Sequence, residues 1–178
     1  MERIESLYRR YNLELRPLII EYEAREMKFP EVILGGIILM FDNLVGYHCD
    51  SSIERLNESE KNLDKVIRIL QEYVTSSYKN HNKELQSRYQ LQYLESVGNG
   101  EFYAGYSEMM ADAQRAIDAG NFSRAITVFR QIEALEVEHK QSLFAVGRLQ
   151  EKSVSTIVKF VLSTAISVIL GLIVANFL

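Results

Sequence analysis

The spacing of apolar positions reads as helix along almost the whole chain. Leu7, Tyr11, Leu15, Leu18, Ile19, Tyr22 and Met27 recur near a 3.6-residue period and predict a first helix over about residues 2–28. Pro17 falls inside it, where a missing N–H and a bulky ring predict a kink or a break. Pro30 then opens a second helix in a first-turn position. Its apolar residues Ile33, Leu34, Ile37, Ile38, Phe41, Leu44 and Val45 fall on one face. The uncharged stretch Val32–Phe41 is too short for a membrane span. A buried core helix is expected, with Gly35 and Gly36 admitting a close neighbour. From Ser52 the period becomes a heptad. Ile53, Glu60, Ile67, Val74 and His81 take one seam position, and Leu56, Leu63, Leu70 and Ser77 the other. That predicts a long packed helix reaching Tyr93 or Leu94, with Glu60, Ser77 and His81 facing water.

Gly98-Asn99-Gly100 is the clearest break. A shorter helix is expected over about Phe102–Ala119, closed by Gly120, with Asn121 capping the next. From Phe122 no proline interrupts the pattern through Leu178, which favours one helix of about 85 Å over a helix hinged near Lys152–Ser155. The predicted fold is all-α: a helical bundle with long helices and a single C-terminal transmembrane helix. Its parts are residues 1–97 with the heptad helix, a hairpin over 101–152 and a span over 156–178.

The membrane assignment rests on the nineteen residues Phe160–Leu178, which carry no charge and match the length that crosses about 30 Å of hydrocarbon. The N-terminal sixteen residues are strongly charged and lack the apolar core of a secretory signal. Lys140, Arg148, Lys152 and Lys159 precede the run and none follows it, which predicts a cytosolic N-terminal domain on a single pass of the inner membrane. A single cysteine, Cys49, forbids an intrachain disulfide and fits a reducing compartment. The net charge of -4 argues against general nucleic-acid binding. A local basic patch repeated by oligomerisation stays compatible with it.

Ala119–Ile132 resembles the second half of a tetratricopeptide repeat, with Gly120, Phe122, Ala125 and Phe129 at that pattern's small and aromatic positions. No second copy follows, and an array needs about three, so an ordinary helical hairpin is expected. His48, Cys49 and Asp50 adjoin, but His81 and His139 lie at no ligand-like spacing from them, and no nucleophile or phosphate-loop motif occurs. The reading is therefore no enzyme, no catalytic residue, no metal and no cofactor. Tyr73, Tyr78, Tyr89, Tyr93, Tyr103 and Tyr106 interleave with Lys79, Lys83 and Arg88. Such a pattern can stack bases and hold phosphates, or simply cover a bundle. The three cations are the candidates for an anionic ligand, a nucleotide or single-stranded nucleic acid.

The uncharged run is two-faced. Ser163, Ser167, Gly171 and Ala175 recur every four residues, with Thr164 beside them and Lys159 extending the line. Leu162, Ile166, Ile169, Ile173 and Phe177 make the bulky side. Small residues at this spacing bring membrane helices together, and hydroxyls bond across the contact or line a lumen. The expected partners are membrane lipid and further copies of the chain, in a tetramer or similar assembly, with a regulatory protein as a further partner. The architecture resembles the small membrane effectors of bacterial anti-phage defence. That resemblance implies a gated channel or pore controlled by the cytosolic helical domain. The alternative is a tail-anchored adaptor that tethers a partner protein to the membrane.

Overall fold

The computed structural model describes residues 2–89 and 91–150, and all of its regular secondary structure is helical. The predicted span over 156–178 therefore lies outside the described residues. The chain divides into two units that interleave in sequence. One comprises residues 2–83 with 109–131, the other residues 84–108 with 132–150.

In the first unit the N-terminal helix is α1 (Glu2–Arg10), a π-helical turn over Tyr11–Leu15, and α2 (Arg16–Glu26). The π turn explains how the helix passes Pro17 without breaking. The wider turn ends with the N–H of Arg16 donating to the carbonyl of Tyr11, and α2 restarts with proline in its first turn. It also aligns the buried face. Leu7, Tyr11 and Leu15 are spaced four and four, which in plain α-helix drifts by about 80°. A turn with more residues takes back most of that drift, so Leu7, Leu15, Leu18 and Tyr22 are buried together. Met27, in the left-handed conformation at φ 55°, stops α2.

A 3₁₀ turn over Glu31–Ile33 leads into α3 (Leu34–Asp50). Ser51, at φ 56°, ends it, and Asp50 accepts the backbone N–H of Ser52 at 2.9 Å. Helix α4 (Ile53–Arg88) follows, shorter than the heptad allowed, and one further turn, α5, spans Leu91–Leu94. Helix α3 runs antiparallel to α4: Met40 accepts a hydrogen bond from Ser59 at 2.8 Å, and Gly36 sits on Val66. The first helix runs parallel to α4. Arg3 reaches Glu60, Arg10 reaches Asp64 at 2.7 Å, and Tyr22 meets the edge of Tyr73. Tyr11 meets Phe41 edge-on at 5.6 Å, joining the first helix to α3.

Ser77 is buried, not in water, because Arg25 on α2 donates to its hydroxyl at 3.3 Å. Helix α3 is not a buried core helix. Ile33, Met40 and Leu44 are buried, but Leu34, Ile38 and Val45, expected on the same face, are exposed. The apolar arc is wider than the neighbours that cover it. Among the described residues, Glu31–Asp50 alone is long and apolar enough to cross a membrane. Its mean hydropathy is 1.5, and 17% of it is buried. Length and composition alone also admit a core helix of a water-facing bundle.

Helices α6 (Glu101–Asp118) and α7 (Phe122–Glu138) contribute to both units. The turn between them is as expected. Gly120, at φ 70°, closes α6 with its N–H on Ile117 and that of Asn121 on Ala116, and the Asn121 side chain accepts the N–H of Arg124 at 3.0 Å. After α7 a helical stretch continues over residues 140–150, and at the join the His139 N–H donates to the Leu135 carbonyl while its own carbonyl accepts from Leu143. In this second unit the His139 ring meets Phe102 edge-on at 5.6 Å and sits against Gly98, whose φ of 59° suits glycine.

Candidate functional site

The densest polar constellation of the first unit centres on Glu21 of α2. Arg130 of α7 grips its carboxylate with two donors, at 2.9 and 2.6 Å, and the Tyr78 hydroxyl donates to it at 2.6 Å. Tyr78 is buried, stacks on Phe129 with centroids 5.3 Å apart, and carries the Arg25 guanidinium 3.7 Å over its ring. Burial by itself raises the carboxyl's pKa. The hydrogen bonds from Arg130 and Tyr78, with the charges of Arg130 and Arg25, outweigh burial and hold it below its usual value. A carboxylate so occupied does not take up a proton at neutral pH. The arrangement is a clamp joining α2, α4 and α7.

In the second unit Tyr106 is buried and its hydroxyl lacks a well-formed hydrogen bond. Burial first, with the charge of Glu136, pushes its pKa up to about 12, although the Gln86 side chain works against the shift. The Tyr89 ring lies against Gly147.

The predicted ligand cations lie on α4. Lys79 is half-buried, and Lys83 follows one turn later, exposed, on the same side. Arg88 is exposed nine residues after Lys79, which on an α-helix is about half a revolution away. Two tyrosines of the stacking pattern, Tyr78 and Tyr106, are core residues, so they present no ring face to a base. Lys159, Ser163, Thr164, Ser167, Gly171 and Ala175 lie outside the described residues. At the end of α3, Asp50 pairs with Arg55 at 2.9 Å and Cys49 is exposed. Among the described residues no three His, Cys, Asp or Glu side chains gather as metal ligands.

The feature that sequence periodicity misses is the outer side of α3. Leu34, Ile38, Leu39 and Val45 are all exposed along it, with Val32 exposed in the 3₁₀ turn that leads into it. Gly35 lies among them with open space where a Cβ would stand. The apolar residues were visible in the sequence, but which part of a broad apolar arc would be left uncovered was not.

No protein-family model, no curated protein and no solved structure matches the chain.

Proposed function

We propose that the chain is a homo-oligomeric membrane effector, in which helices over 156–178 form a gated channel or pore and the cytosolic helical units control it. The observation that carries this reading is the two-faced uncharged run Phe160–Leu178, with Ser163, Ser167, Gly171 and Ala175 on one side and bulky residues on the other. A helix that only holds a domain to lipid needs no such asymmetry. Close packing of like helices does. The controlling signal in this reading is anionic, a nucleotide or oligonucleotide, in anti-phage defence. Lys79 and Lys83, one turn apart on α4, are the pair that would meet it, with Arg88 in a separate contact.

The test is conductance of the full chain in planar bilayers, together with the mass of the detergent-solubilised particle. Ser167→Leu and Gly171→Leu are expected to abolish conductance while the protein still reaches the membrane. Unchanged conductance, or a monomeric particle that conducts nothing, refutes the pore.

The second reading is a tail-anchored adaptor. Val137, Phe144 and Leu149 of the second unit, all exposed, are the observation that favours it. Replacing 156–178 with an unrelated apolar helix preserves function in the adaptor and abolishes it in the pore.

A further inference from the structure

Helix α3 carries three glycines, and two have a local reason. A Cβ at Gly36 would overlap the Val66 side chain, and one at Gly46 would overlap the Arg55 guanidinium. At Gly35 a Cβ meets nothing. Glycine there costs the helix about 1 kcal/mol relative to alanine, and no contact among the described residues offsets it. One turn to either side stand Val32, Ile38 and Leu39, exposed by 49%, 50% and 53%. Together they form a notch with an apolar rim, on the side of α3 away from Ile33, Met40 and Leu44. Acyl chains gain nothing from a notch in a helix. A second helix does, because the notch lets two backbones approach.

We propose that this notch is a self-association surface: a second copy of the chain lays its own α3 antiparallel across it, with Gly35 facing Gly35 at the two-fold axis. The charges choose this orientation. An antiparallel crossing sets Ile38 against Val32 of the second copy and turns Asp42 toward the segment leading into α3, which carries Lys28 and the exposed Glu31, so that no charge faces its own copy. Both Asp42 and Lys28 are exposed and without an ion-pair or hydrogen-bond partner among the described residues. A parallel crossing sets Asp42 beside Asp42. The notch and its rim offer far fewer than the roughly 20–30 residues a side of a stable interface. The contact is therefore weak between free copies and forms when copies share one membrane, where tethering raises their effective concentration. In that respect the inference rests on the membrane reading above.

The experiment uses the full chain with Cys49→Ser, which removes the native thiol, and Gly35→Cys, which adds one at the axis. In phosphatidylcholine vesicles, mild oxidation is expected to convert most of the chain to a disulfide-linked dimer. Leu13→Cys, exposed on the first helix, is the control and is expected to cross-link at least tenfold less. Adding Ile38→Glu to the Gly35→Cys chain is expected to lower cross-linking at least tenfold with helicity unchanged. Equal cross-linking at Gly35→Cys and Leu13→Cys overturns the proposal. So does quenching of a fluorophore on Gly35→Cys by brominated lipid, which makes the occupant of the face lipid. If Ser167→Leu and Gly171→Leu leave conductance intact while Gly35→Cys still cross-links, the pore fails and the notch stands. If the chain does not enter vesicles, the tether fails, and cross-linking of the concentrated chain in detergent decides the notch by the same comparison.

Discussion

Glu21 shows how much of the first unit hangs on one carboxylate. Its pKa is lowered in the fold, so its contribution to stability is complete above the unfolded value of about 4.3 and is lost as pH falls through the folded value. Acid unfolding is expected to begin below about pH 4.3. Glu21→Gln is expected to cost about 1–3 kcal/mol at neutral pH, the scale of hydrogen bonds to a charged group, and to flatten the acid limb. Denaturant midpoints from pH 3 to 7 measure both effects, and an acid limb as steep as that of the wild type removes the clamp. Tyr106 has the opposite sign. Its pKa is raised to about 12, so its term is complete below about pH 10 and is lost as pH rises through the folded value. Because its hydroxyl lacks a well-formed partner, Tyr106→Phe is expected to change stability by less than about 1 kcal/mol and to remove the alkaline loss. A large drop in melting temperature at pH 7 would mean that the hydroxyl carries a bond. Neither environment is legible in sequence. Glu21 and Arg130 are 109 positions apart, and no local pattern pairs them.

At the scale of the element, adjacent glycines in α3 make opposite predictions. Gly36→Ala forces its new methyl into Val66 between two packed helices, and a loss of about 1–3 kcal/mol is expected. Gly35→Ala fills open space and is expected to raise the stability of the unassociated chain by up to about 1 kcal/mol. Thermal melts of the two variants side by side check this, and equal effects would mean that α3 is packed otherwise. The helices themselves were legible because 3.6-residue periodicity and the Gly120-Asn121 stop are local signals. What was not legible has physical causes. Ser77 reads as a polar interruption until Arg25 arrives from a helix 52 residues away. The π turn is hinted at only by Pro17 and by two successive spacings of four. In α3 the apolar residues cover so much of the circumference that periodicity cannot say which arc packs on α4.

At the scale of the molecule, the all-helical class of the described residues followed from the rarity of proline and the long periodic runs. The interleaving of two units did not, because it depends on how far along α4, α6 and α7 each partner sits. The relative placement of the candidate ligand cations was legible only where they share a helix. That of Lys79 and Lys83 was, one turn apart, but a patch drawn from several elements is set by packing. The pore reading belongs to this scale as well, since it and the notch on α3 are two separate proposals for how copies meet. Disabling one and measuring particle mass isolates the other. Ile38→Glu is expected to leave the mass set by the C-terminal helices unchanged in detergent.

The interleaving has a consequence for the order of synthesis. The first unit draws its last residues from α7 and is complete at residue 131, so 28 residues lie between that point and Phe160, where the uncharged run begins. At about 5–20 residues per second, translation takes a few seconds to cover that interval. Arg130 can close on Glu21, and α3 can take its place on α4, before the uncharged run is complete. In the membrane reading proposed above, the surface that displays Gly35 takes shape before the uncharged run is complete, so a copy would bring it to the bilayer ready-made.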